Sequence, residues 1–186
     1  NHLATGNESV FVKTHSALQY YEGRPLIYLE HTAGAVYILR NPFDMVVSFS
    51  DHYRISYDDA IEAIAAPSHR VQTTNQGIFQ ILSGWSNHYR TWFGVDNFHP
   101  LLLRYEDMVR NPIKTFGKFT KFLGLPKNPE RLRRAIKNSS FDEVSSQETV
   151  TGFSERSRPD QKFFRSGKVG GYKSILSEAQ IAKIIN

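Results

Sequence analysis

The chain has 186 residues, 40% of them aliphatic or aromatic, with 23 Lys and Arg against 18 Asp and Glu, a net charge of +5 and a pI of about 9.4. That length suits one domain over residues 1–186 with a substantial core, and no run approaches the roughly 18–20 consecutive apolar residues of a membrane span. The basic balance favours an anionic partner, and a cysteine count of zero excludes disulfides, a thiol nucleophile and thiolate metal sites, which suits a reducing, cytoplasmic compartment.

Three short runs, "SVFVK" (9–13), "AVYILR" (35–40) and "PLLLR" (100–104), are nearly continuous in apolar residues and predict strands covered on both faces. The stretch after the second run, "NPFDMVVSFSDHY", predicts a helix with Asn41 as N-cap, Pro42 at the first helical position and Asp44 in the first turn. Helices are also predicted over "YDDAIEAIAA" (57–66) and "QGIFQILSGWSNHYRTWF" (76–93). "NPIKTFGKFTKFLG" (111–124) repeats the Asn-Pro entry and stops at Gly124, and "NPERLRRAIKN" (128–138) and "SEAQIAKIIN" (177–186) complete the series. Strands alternating with helices predict an α/β fold with a mostly parallel central sheet and helices on both faces. Ligands of such folds bind beyond the carboxyl ends of the strands, where Lys13, Arg40 and Arg104 are expected to form an anion-binding edge.

Arg40 can present a planar fork to phosphate, with Ser48 adding a hydroxyl from the second turn of the next helix; the plainer reading pairs Arg40 with Asp44 or Asp51. In "FVKTHSA", Lys13 and His15 lie two residues apart and point the same way on an extended chain. They read as a cation beside a general base or as a solvated strand end. "FFRSGKVGGYK" (163–173) sets Arg165 and Lys168 among glycines, which reads as a phosphate-approaching loop or a plain basic one, and no Walker A motif occurs in the chain. Tyr105 follows the third run and can lie against a purine, while Glu106 and Asp107 read as a helix cap or Arg partners before a metal pair. "WSNHYRTW" reads as a core stripe with His88 partly buried.

Taken in order, "KTH", "YILRNPFDMVVS", "W-x-x-H", "RYEDM", "FLGLP", "SSF" and "FFRSGKVGGYK" resemble the PAPS-dependent sulfotransferases, from about Phe11 to Ser177. The resemblance implies a P-loop-kinase-like sulfotransferase fold. It implies transfer of a sulfuryl group from 3'-phosphoadenosine 5'-phosphosulfate (PAPS) to a hydroxyl or amine of a small-molecule acceptor, leaving the product PAP and requiring no metal. By it, Arg40 and Ser48 match the pair on the 3'-phosphate, and Arg165, Ser166 and Gly167 match the loop that closes over it. Tyr105, Ser139 and Phe141 match positions around the adenine, His15 the catalytic base and Lys13 the nearby cation.

The family's Pro-Lys-Ser-Gly-Thr-Thr-like phosphosulfate loop is not found, and it is expected to precede Asn1. In the closing loop Ser166 stands where the family often has Lys, with Lys168 as compensation, and the dimer motif of some members is not met at "KSILSEAQIA". No nucleic-acid or membrane partner is expected; the oligomeric state and the acceptor stay open, and Tyr20, Tyr21, Phe79 and Trp85 line a site or simply pack. The alternatives are a P-loop-type kinase or a non-catalytic nucleotide- or nucleic-acid-binding module.

Overall fold

The computed structural model describes residues 10–72, 78–154, 156 and 160–185. In chain order they form strands β1 (Tyr20–Tyr21), β2 (Arg24–Pro25) and β3 (Val36–Leu39), helices α1 (Pro42–Tyr53) and α2 (Tyr57–Ala65), strands β4 (Arg70–Val71) and β5 (Gln80–Ile81), and helix α3 (Trp85–Phe93). Strand β6 (Leu101–Arg104) follows, then α4 (Tyr105–Arg110), α5 (Pro112–Phe122), α6 (Pro129–Asn138), α7 (Phe141–Thr151) and α8 (Glu178–Ile185). The fold is α/β, as the sequence predicts; among the described residues β3 and β6 pair in parallel, and β1–β2 and β4–β5 each form a two-stranded antiparallel ribbon.

The chain divides into two compact units, Asn1–Ala35 with Glu62–Pro100, and Val36–Ile61 with Leu101–Asn186. In the first, Ala17, Ile64 and Trp92 are buried. Gly84 precedes α3 at a place where a Cβ would stand 2.6 Å from the Ala65 carbonyl oxygen, so only glycine permits that approach. In the second, Val46, Val47, Ala60, Ile61, Leu103 and Leu176 form the core. Truncating one such chain, Leu103 for instance, costs about 2–5 kcal/mol through lost transfer energy and the cavity left behind.

Local chemistry explains the element that matters most. Asn41 caps α1 by accepting from the Phe43 amide at 2.9 Å, and Pro42 occupies the first turn, where its missing N–H costs nothing. The helix ends at Arg54 in the left-handed region, φ 53°. Helix α5 likewise stops before Gly124, φ +65°, as its sequence predicts.

Two predicted elements differ. Residues 10–13 form no strand, and Val10, Phe11 and Val12 are more than half exposed; residue 9 lies outside the described residues. A β-type run becomes a strand only when a neighbour supplies its ladder, and among the described residues none pairs with it. Lys13 therefore does not stand at a strand end. The helix predicted over 76–93 begins only at Trp85, because Gln80 and Ile81 pair with Val71 and Arg70; residues 76 and 77 lie outside the described residues.

Candidate functional site

The site in the second unit is set by strand register. Parallel pairing aligns Val36 with Leu101 and Leu39 with Arg104, so the next residues, Arg40 and Tyr105, leave the sheet side by side. The Arg40 guanidinium carbon lies 4.6 Å from the centre of the Tyr105 ring, a cation–π contact that orients the fork. Glu106 fixes the two strand ends together. Its carboxylate, 4% exposed, accepts from the Asn41 amide at 2.8 Å through Oε1 and stands 3.7 Å from Arg104 Nε through Oε2. The carboxylate considered as half of a metal pair thus spans the turns beside Arg40.

The segment Asp160–Tyr172 lies against these residues. Tyr105 Oη donates to the Gly167 carbonyl at 3.3 Å, and Arg40 Nη2 donates to the Lys168 carbonyl at 3.5 Å. Gly167 has φ +59°, and a Cβ there would meet Phe141 Cδ2 at 2.5 Å, so the ring packs directly against the glycine backbone. Arg40, Tyr105, Phe141 and Gly167, singled out separately along the sequence, are brought into one cluster.

Two buried carboxylates hold the segment at either end. Asp44, on the first turn of α1, accepts from the Gly170 amide at 2.7 Å and the Tyr172 amide at 3.1 Å, with Phe43 stacked on Tyr172 at 4.8 Å. Glu148 of α7, 1% exposed, accepts from the Phe163 amide at 2.6 Å, the Phe164 amide at 3.0 Å and Arg156 Nε at 2.6 Å. Burial pushes the Glu148 carboxyl up, but those two amides and the guanidinium outweigh it and hold its pKa below the ordinary carboxylate value. Between the anchors the chain presents Arg165, Ser166, Gly167 and Lys168.

The remaining predicted residues are placed less directly. Arg165 Nε lies 3.5 Å from Asp51 of α1, and Ser166 is half-buried. Ser48 is half-buried on the second turn of α1, and Ser139, at the end of α6, donates its hydroxyl to the Ala135 carbonyl at 2.9 Å.

Lys13 and His15 belong to the first unit, and both are exposed. The backbone around His15 is pinned by α3 and β5. Its carbonyl lies 3.2 Å from His88 Nε2, the Ser16 carbonyl accepts from Trp92 Nε1 at 3.2 Å, and the Ala17 amide donates to Ile81 at 2.7 Å. Burial, with the charge of His15 as a smaller cause, lowers the His88 pKa despite the bond to the His15 carbonyl, so the ring is neutral near pH 7. Because a carbonyl only accepts, that neutral ring carries its proton on Nε2.

Sequence reasoning missed Asp44 and Glu148 as loop anchors. Asp44 reads locally as a first-turn acid, and Glu148 sits in a polar helix with no apolar stripe to mark an inward face. His88 and Trp92 were visible as an inward stripe, but not as supports for His15.

Arginine, aromatic rings and glycine backbone, assembled at strand ends beside a helix N-terminus, have the chemistry to receive an anion and a flat ring on an α/β fold. The sulfotransferase domain family model matches residues 2–186, and the chain belongs to that family. Among curated relatives, it is 28% identical to dog sulfotransferase 1B1 over 181 residues, covering 92% of this chain and 58% of the relative. It is 30% identical to flavonol 3-sulfotransferase of Flaveria bidentis over 162 residues, covering 80% and 51%. The chain thus spans little more than half the length of these relatives.

Solved structures show the same fold. Mouse sulfotransferase SULT7A1 complexed with PAP superposes with a TM-score of 0.64 at 21% identity, covering 87% of this chain and 59% of that one. Retinol dehydratase in complex with androsterone and the inactive cofactor PAP gives 0.61 at 20% identity, covering 82% and 45%.

Proposed function

We propose that the protein transfers a sulfuryl group from PAPS to a hydroxyl or amine of a small-molecule acceptor, in the cytoplasm and without a metal. The observation that carries this reading is the Arg40–Tyr105–Phe141–Gly167 cluster, in which a guanidinium held over one ring and a second ring packed on glycine backbone meet at one place. A phosphorylated purine nucleotide satisfies all of these at once. The fit supports the nucleotide expected from the resemblance.

In this reading Arg40 and Ser48 take the 3'-phosphate, helped by the positive end of α1. Arg165, Ser166 and Gly167 close over it, which requires Arg165 to exchange its contact with Asp51 for the phosphate. Tyr105, Ser139 and Phe141 surround the adenine. PAPS, when bound, supplies the activated sulfuryl group. His15 takes the proton from the acceptor's oxygen or nitrogen, and Lys13 offers a hydrogen bond to the leaving oxygen.

The reading is tested by incubating the protein with PAPS labelled in its sulfuryl group and a panel of phenol, steroid, carbohydrate and amine acceptors, with and without EDTA. Label is expected to pass to at least one acceptor class at an undiminished rate in EDTA. Abolition of transfer by EDTA, with recovery on adding Mg²⁺, would point instead to metal-dependent chemistry of the kinase kind.

A further inference from the structure

The net charge of +5 conceals a division. Residues 110–137, from the end of α4 to the end of α6, carry nine Lys and Arg and a single acid, Glu130, a net +8, so that the rest of the chain sums to −3. All nine cations are exposed, and among the described residues none forms a salt bridge. Read along the sequence the charges look mixed. Folded, Lys114, Lys118 and Lys121 recur at helical spacing along one face of α5, and α6 adds Arg133, Arg134 and Lys137.

Unpaired cations alone make a solvated face, and the apolar side chains among them point further. Val109, Ile113, Phe122 and Leu125 are between 41 and 52% exposed in the same stretch, with Ile113 and Phe122 flanking the lysine stripe. Thr115 is buried and Phe116 and Phe119 are half-buried on the opposite side of α5, so its inner face is already occupied by the fold. An open cleft of about 400 Å³, lined by Arg110 to Lys114, lies at the corner between α4 and α5.

We infer that the α4–α6 surface docks on an anionic phospholipid bilayer, lying in the headgroup layer without spanning it. Charge complementarity supplies the attraction, each Lys or Arg at such a surface adding a similar increment. The exposed aliphatic and aromatic chains choose the occupant. A nucleic-acid backbone would match the cations but leave those side chains in water, whereas the acyl boundary beneath lipid phosphates takes them in. No helix among the described residues is long and apolar enough to cross a membrane, and the contact inferred is a peripheral one, which departs from the expectation of no membrane partner.

Co-sedimentation with vesicles tests this, using phosphatidylcholine alone and phosphatidylcholine containing one-third phosphatidylserine. The protein is expected to sediment with the anionic vesicles only and to be released as salt is raised. The triple change Lys114→Glu, Lys118→Glu, Lys121→Glu is expected to weaken that binding by roughly a hundredfold. The pair Ile113→Ser, Leu125→Ser should weaken it roughly tenfold while leaving retention on immobilised duplex DNA unchanged. All five positions are exposed, so circular dichroism of the variants should match the parent. Equal binding to both vesicle types, no binding to either, or wild-type binding by the lysine variant would overturn the inference. Indifference to the apolar pair would overturn it too, marking a general polyanion surface.

Discussion

Replacing His15 with alanine is expected to lower turnover by roughly 10²–10⁴-fold while leaving affinity for PAP within a few-fold of the parent. The separation follows from where the residues lie. Every side chain proposed to hold the 3'-phosphate and the adenine belongs to the Val36–Ile61 and Leu101–Asn186 unit, and His15 belongs to the other. The imidazole is exposed, while the backbone beneath it is held through His88, Trp92 and Ile81, none of which depends on the His15 side chain. Turnover with saturating PAPS and acceptor, read beside the calorimetric affinity for PAP, is the measurement. Unchanged turnover would remove His15 from the mechanism, and loss of nucleotide affinity equal to the loss of rate would recast it as a binding residue.

The second large effect is expected at Glu148. Alanine there strips the Phe163 and Phe164 amides and Arg156 of a shared acceptor in a buried site, at a cost of about 3–5 kcal/mol in unfolding free energy. It should also weaken PAP binding, because Arg165 directly follows the released amides. The pH dependence has a definite sign. A carboxyl whose folded-state pKa is lowered stabilises the fold above its unfolded value of about 4.3, and that contribution is lost as the pH falls through the folded value. Urea unfolding of the parent should thus show a loss on acidification through the carboxylate range that Glu148→Gln shows only weakly. A cost below about 1 kcal/mol for alanine, or equal acid sensitivity in the Gln variant, would contradict the anchoring role.

The Arg40–Tyr105 cluster was legible in sequence to the extent that it is made of local signals. An apolar run ending in Arg-Asn-Pro announces a strand, a cap and a helix entry, and β3 and α1 form there, although Ile38 of β3 is 59% exposed rather than covered as the run predicts. The pairing of Arg40 with Tyr105 depends instead on which strand lies beside β3 and in what register, which neither run encodes alone. The same limit explains the first apolar run, whose composition suits a strand but whose ladder needs a neighbour that the described residues do not provide. It explains the anchors as well. Asp44 reaches amides 126 and 128 residues away, and no local pattern distinguishes it from a first-turn acid that merely favours the helix dipole. The Trp85 start of α3 was hidden for the same reason, since the pairing of Gln80 and Ile81 with Val71 and Arg70 shows only in three dimensions.

The central claim, that Arg40 stands ready for a 3'-phosphate, is tested most directly by calorimetric titration of the protein with PAP and with adenosine 5'-phosphate in EDTA, repeated on Arg40→Ala. PAP is expected to bind at micromolar affinity and far more tightly than the nucleotide lacking the 3'-phosphate, with Arg40→Ala erasing most of that difference. Equal affinity for the two nucleotides in the parent, or a preference for PAP that survives in Arg40→Ala, would contradict it.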